Sequence, residues 1–123
     1  MDTILIIEDN EQNIKFVEDV LDFAGYHPVG ANTAEKGLQL AHELKPSLIL
    51  MDLRLAGSGM NGWEATRAIK DDSDLAHIPV IAVTAQVSPG EESRLAEYGF
   101  DGYVSKPFDV IELQNYIRRF CQG

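Results

Sequence analysis

Short apolar runs alternate with longer amphipathic stretches along this chain. Thr3 to Ile7, Ser47 to Met51 and Ile78 to Val83 are nearly continuous apolar runs of strand length, and weaker ones lie at Pro28 to Ala31 and Gly102 to Val104. A continuous run, rather than strict alternation, suits a strand covered by helices on both faces of a parallel sheet. Between the runs the apolar spacing changes to three and four. Ile14, Val17, Leu21 and Ala24 share a stripe, widened by Phe16, Val20 and Phe23 and ended by Gly25, a natural residue just past a helix terminus. This first helix is expected to bury a broad face. A second helix is expected after Thr33, with Leu38, Ala41 and Leu44 inward and Lys45-Pro46 closing it. Trp63, Ala65 and Ile69 mark a third, which should end near Lys70, because the carboxylates of Asp71, Asp72 and Asp74 are unfavourable at a helix C-terminus. Ser88-Pro89-Gly90-Glu91 supplies an N-cap serine, a first-position proline and a capping-box glutamate, predicting a fourth helix to Gly99. Asp109 and Glu112 repeat the capping logic for a fifth, with Val110, Leu113, Ile117 and Phe120 on its inner face.

Five such alternations predict an α/β fold, a doubly wound sheet with right-handed crossovers. In such sheets the functional crevice lies beyond the carboxyl ends of the strands. Glu8-Asp9, Asp52, Thr84 and Lys106 all fall there. Three carboxylates brought that close raise one another's pKa unless a cation or a proton sits between them. An all-oxygen cluster is the environment a hard divalent ion such as Mg²⁺ prefers. With a threonine hydroxyl and a lysine ammonium beside it, the set reads as a site for attaching a phosphoryl group to a carboxylate. Asp52 would be the nucleophile, needing no general base because it is already ionised. The metal and Lys106 would offset phosphoryl charge, and Thr84 would donate to the transferred group.

Composition narrows the partners. Twenty acidic against ten basic residues leave a net charge of −10, which disfavours direct binding to nucleic acid or an anionic membrane. A chain of 123 residues fits one domain, residues 1–123, burying roughly two thirds of the surface it exposes unfolded. Its one cysteine, Cys121, excludes an internal disulfide, suits a reducing cytosol and is assigned no role. No apolar run approaches the length of a signal peptide or membrane span, so a cytoplasmic protein is expected.

Glu8-Asp9-Asn10, Met51-Asp52-Leu53, Val83-Thr84-Ala85 and Ser105-Lys106-Pro107, in that order and spacing, closely resemble the receiver domain of bacterial two-component response regulators. The resemblance covers the whole chain and implies the flavodoxin-like (βα)5 fold, with a five-stranded parallel sheet in the order 2-1-3-4-5. It implies that Asp52 accepts phosphate from a histidine kinase or phosphotransfer protein. Mg²⁺ would be held by Asp9, Asp52 and the backbone carbonyl of Arg54, with Glu8 acting through water. Thr84 and Tyr103 match the family's switch positions, whose movement reshapes the surface of the fourth helix, fifth strand and fifth helix for a downstream protein effector. Arg54 and Gln86 match positions that tune phosphate lifetime. Such a protein is not an enzyme beyond its own phosphorylation and dephosphorylation, and a monomer or weak dimer is expected. Asn13 and the segment Asp74 to Val80 are similar to single-domain regulators of the DivK type and to receivers fused to hybrid kinases. Met1, two residues before the first strand, favours an intact product over a fragment of the latter. One departure stands out. The family usually has a proline four residues after the acceptor and a glycine eight after it, whereas Ala56 takes the first place and the matching glycine is Gly62, so the loop Ala56 to Asn61 is two residues longer.

Singly, each residue has a plainer reading. Asp52 alone is a solvated strand end, Glu8-Asp9 the acidic start of a helix, Thr84 a strand residue, Lys106-Pro107 a turn, where the resemblance implies a cis peptide, and Tyr103 core. The Asp71 to Asp74 run lacks the glycine turn and terminal glutamate of a calcium loop, and His27, His42 and His77 share no metal spacing. Two rivals come from other classes. A Mg²⁺-dependent phosphohydrolase with an aspartyl-phosphate intermediate would have a second aspartate where Arg54 stands. A flavodoxin-like cofactor carrier would need a glycine- or hydroxyl-rich phosphate cradle in place of Glu8-Asp9-Asn10.

Overall fold

Residues 2–55, 59–85, 88–106 and 110–121 are described by the structure, a computed structural model. The elements follow in chain order as β1 (Thr3–Ile7), α1 (Glu11–Phe23), β2 (His27–Ala31), α2 (Ala34–Leu44), β3 (Leu48–Asp52), α3 (Gly62–Asp71), β4 (Val80–Thr84), α4 (Pro89–Tyr98), β5 (Gly102–Ser105) and α5 (Val110–Phe120). All strand pairs are parallel, and the sheet order is β2-β1-β3-β4-β5. This is the doubly wound flavodoxin-like arrangement expected from the sequence.

The two cores follow from the two-residue period of the strands. Leu5, Ile7, Ile49, Met51, Val80 and Ala82 face a layer containing Ala34 and Ala41 of α2, Ala65 and Ile69 of α3, and Leu95 of α4. Ile4, Ile6, Leu48, Leu50, Ile81 and Val83 face Val17 and Leu21 of α1 and Leu113 and Ile117 of α5. Every residue of β3 and β4 is buried, which is why their sequences show no alternation. Burying one large aliphatic side chain contributes about 1.5–3 kcal/mol, so these central strands anchor the fold.

The Ser88–Glu91 cap and the Gly99 stop are those expected from the sequence, whereas the caps at Asn10 and Asn61 were not expected from it. Asn10 Oδ1 accepts from the amides of Gln12 and Asn13 at the head of α1. Asn61–Glu64 and Ser88–Glu91 form reciprocal capping boxes on α3 and α4, and Gly99 closes α4 at φ 99°. Asp109 lies outside the described residues. The α3 helix runs one residue past Lys70, and its last carboxylates are turned to other partners: Asp72 Oδ1 accepts from the Asp74 amide at 2.9 Å, and Asp72 Oδ2 is 3.1 Å from His42 Nε2.

Two helix faces are narrower than expected. Phe16 and Phe23 are 46% and 93% exposed, leaving Val17 and Leu21 as the buried residues of α1. At about 100° per residue, the two phenylalanines form their own row more than a quarter turn from the Val17–Leu21 line. Leu44, expected inward, is 42% exposed because it sits in the last turn, where Lys45 turns left-handed at φ 47°. Among the described residues no helix is long and apolar enough to cross a membrane.

Candidate functional site

Register brings the polar residues together. Ile7 pairs with Met51, so Glu8, one residue beyond β1, comes level with Asp52 at the end of β3. Asp52 pairs with Val83 and Thr84 with Ser105, which stations Thr84 at the end of the neighbouring strand and Lys106 one step past β5. Backbone bonds from Leu53 to Val83 O at 3.2 Å and from Lys106 to Thr84 O at 2.7 Å extend the ladder to this edge. The buried helix residue Gly62 lies against the same edge. A Cβ there would collide with the Asp52 carbonyl oxygen and come within 2.9 Å of Leu53 Cα.

Glu8 and Asp52 are each 4% exposed, and Thr84 is 7% exposed. Carboxylate oxygens of Glu8, Asp9 and Asp52 lie within 4.8 Å of one another. Lys106 Nζ sits between two of them, 3.0 Å from Glu8 Oε1 and 3.4 Å from Asp52 Oδ2. The Arg54 amide donates to Asp52 Oδ1 at 3.0 Å. Asn13 Nδ2 donates to Glu8 Oε1 at 3.0 Å, and the Asn10 amide donates to Glu8 Oε2 at 3.4 Å.

These contacts decide how the cluster carries its charge. Burial pushes the Asp52 carboxyl up and the adjacent Glu8 pushes it further, to about 7, against the opposing pull of the Arg54 amide and Lys106. Burial alone would raise Glu8 as well. Hydrogen bonds from Asp52, Lys106 and Asn13 and the lysine charge outweigh it and hold Glu8 at about 2. Lys106 stays above its ordinary value, because the two carboxylates overcome the cost of its burial. The pair thus shares one proton near neutrality, as expected for close carboxylates lacking a second cation. Their all-oxygen character suits a hard divalent ion in that proton's place. The space beneath them, lined by Ile6, Asn13, Val17, Leu50 and Val83, is about 10 Å³, room for about one water and too small for a metabolite.

The remaining candidates are further out. Tyr103 is half-buried on β5, and its hydroxyl donates to Glu92 Oε1 of α4 at 2.8 Å. The Arg54 side chain is exposed. Gln86, Ala56 and Pro107 lie outside the described residues. Trp63 packs edge-on against Tyr98 and Phe100, with centroids 5.2 and 5.6 Å away, in the seam between α3 and α4. His27, His42 and His77 are exposed, and Cys121 is buried with its thiol pushed up to about 11. Two contacts at the site were not predicted from sequence, the Asn13 amide on Glu8 and the Glu92 carboxylate on Tyr103. Asn13 had a signal, since it stands in the first turn of the helix that follows Glu8.

Known proteins match this arrangement. The family model of the response regulator receiver domain matches residues 4–118. The polar-differentiation response regulator DivK of Brucella anthropi is 43% identical over 118 residues, covering 96% of this chain and 94% of the relative. The receiver domain of the sensor histidine kinase PA1611 of Pseudomonas aeruginosa, solved with a magnesium ion coordinated in its active-site cleft, superimposes with a TM-score of 0.88. It is 30% identical, over 99% of this chain and 98% of that one. The chemotaxis protein CheY4 of Vibrio cholerae shares the fold, with a TM-score of 0.90 at 24% identity, over 98% of this chain and 99% of that one.

Proposed function

The chain belongs to the response regulator receiver domain family of two-component signalling, and from that premise we propose that it relays a signal through reversible phosphorylation of Asp52. The receiver unit spans residues 1–123. Members of this family are signalling proteins rather than classical enzymes, and the chemistry here is confined to the protein's own phosphoryl acceptance and autodephosphorylation. One observation carries the reading: a buried carboxylate at the end of β3 is bracketed by Glu8, Asp9 and Lys106.

Asp9, Asp52 and the backbone carbonyl of Arg54 would hold Mg²⁺, with Glu8 acting through water. Bound there, the ion neutralises the carboxylates and the oxygens of the incoming phosphoryl group. A carboxylate oxygen of Asp52 forms the new bond to phosphorus, and the phosphorus–nitrogen bond of a donor phosphohistidine breaks, leaving the imidazole to keep the electron pair. Lys106, already within hydrogen-bond reach of Asp52, offsets the charge on the transferred group, and Thr84 donates to it. Its movement and that of Tyr103 would reshape the α4-β5-α5 surface that a protein effector reads. Arg54 and Gln86 tune the lifetime, as does the longer Ala56 to Asn61 loop. The donor is a histidine kinase or phosphotransfer protein, the compartment the cytoplasm, and the resting form a monomer or weak dimer that touches neither nucleic acid nor membrane.

Intact mass after incubation with acetyl phosphate, with and without Mg²⁺, tests this. The expected result is a Mg²⁺-dependent gain of one phosphoryl group that is absent in Asp52→Asn. No gain under any condition would leave a constitutive binding module on the receiver fold as the better account.

A further inference from the structure

We propose that Asn13 is a positioning residue of the acidic site, its amide fixing the Glu8 carboxylate so that the Lys106 ammonium can divide itself between Glu8 and Asp52. The inference rests on the reading that these carboxylates hold Mg²⁺.

Glu8 leaves β1 with a side chain only 5% exposed, so its hydrogen bonds must come from the protein. Oε2 receives a long 3.4 Å bond from the Asn10 amide. Oε1 receives two of 3.0 Å, from Asn13 Nδ2 and Lys106 Nζ. Because a carboxylate only accepts, the Asn13 amide presents its nitrogen. Beyond Glu8 and Asp52, that wall is Ile6, Ile7, Val17, Leu50 and Val83, largely apolar surroundings in which a polar side chain is a poor packing choice. The helix start sets where Asn13 stands. Asn10 Oδ1 accepts from the Gln12 and Asn13 amides at 2.9 and 3.1 Å, and this cap fixes the first turn of α1 beside Glu8.

Lys106 is the shared resource. It is 3.0 Å from Glu8 and 3.4 Å from Asp52, and a buried carboxylate stripped of one strong donor draws harder on the other. Without Asn13, the ammonium closes on Glu8 and withdraws from Asp52, while Glu8 loses the contact that fixes its orientation. Partners that orient metal ligands typically account for about 10–100-fold in metal affinity, and because Glu8 acts through water, Asn13 stands one step further out, at the lower end of that range.

Calorimetric Mg²⁺ titration of the whole chain tests this in wild type, Asn13→Leu and Asn13→Ala, with unfolding midpoints taken in EDTA. Leucine fills the apolar wall and alanine leaves a gap, so a packing role would separate the two variants. Loss of the amide is common to both. The expected result is Mg²⁺ binding weakened about tenfold in both variants, with the metal-free midpoint of Asn13→Leu at or above that of Asn13→Ala. A leucine variant within twofold of wild type, or weakening confined to alanine, overturns the inference and leaves the receiver reading intact. A wild-type protein that takes no Mg²⁺ removes the metal reading first, and this inference with it.

Discussion

The phenol of Tyr103 donates a 2.8 Å hydrogen bond to the Glu92 carboxylate, tying β5 to α4 across the surface proposed for output. The bond holds the tyrosine toward α4 rather than toward the acidic site. Its hydrogen bond to Glu92, with the glutamate's charge behind it, keeps the phenol above its ordinary value of 10.0. A raised value means that the contribution is complete below the unfolded pKa and is lost as pH climbs through the folded one. Glu92→Gln should therefore bring the Tyr103 ionisation midpoint down, read from its ring carbon shifts across an alkaline NMR titration. An unmoved midpoint would show that the pair is not formed in solution.

Lys70 makes a second tie, at the amino ends of β4 and β5. Its ammonium donates to the carbonyls of Ile78 at 2.8 Å and Ala76 at 3.3 Å and to Asp101 Oδ2 at 3.1 Å. The same Asp101 oxygen accepts from the Val80 amide at 2.8 Å. The end of α3, the entry to β4 and the turn before β5 thus meet on one partly exposed charge. Lys70→Met keeps the apolar stem and removes the donors. It should lower stability by roughly 1–3 kcal/mol, measured by urea unfolding, without altering Mg²⁺ affinity. A change in affinity would mean that this end of the sheet communicates with the site.

Why the strands and the site could be read from sequence, while parts of the helices could not, has one physical root. β3 and β4 are buried on both faces, so their residues had to be apolar whatever their neighbours, and Asp52 and Thr84 stood out at the ends of those runs. A helix is covered over one sector only, and its apolar content does not say how wide that sector is. Phe16 and Phe23 extend the periodic stripe of α1, yet are 46% and 93% exposed. Contacts between elements distant in sequence carry less signal still. Nothing around Glu92 announces that it faces Tyr103, eleven residues later in the chain, because that meeting depends on how α4 returns to β5. Lys45 adopts a left-handed backbone where a glycine would have flagged it.

Gly62 opens α3 against the end of β3. Its amide reaches the Leu53 carbonyl at 3.4 Å, and a Cβ would strike the backbone of the residue proposed to carry the phosphoryl group. Backbone cannot rotate aside as a side chain can. Gly62→Ala should cost roughly 1–3 kcal/mol or more by overpacking, seen as a lower thermal midpoint. It should also slow phosphoryl acceptance, because the displaced atoms belong to Asp52. If acceptance and stability both match wild type, the close approach is not maintained in solution.

The acidic pair predicts an unusual pH profile for the metal-free protein. Glu8, lowered from 4.5 to about 2, contributes stability that is present above about 4.5 and lost as pH falls toward 2. Asp52, raised from 3.8 to about 7, contributes stability that is present below 3.8 and lost as pH rises through about 7. Linkage then requires metal-free stability to peak in the weakly acidic range and decline toward neutrality. Mg²⁺, favouring the ionised carboxylates, should reverse that decline. Asp52→Asn removes the proton that must be lost, so its stability in EDTA should stay level from pH 5 to 8 and exceed wild type by a few degrees at neutrality. Thermal unfolding of both proteins in EDTA and in Mg²⁺ across this range checks all three statements. A wild-type midpoint that is flat with pH in EDTA would mean that Asp52 ionises like an ordinary surface aspartate, and the case that its burial calls for a cation would fail with it.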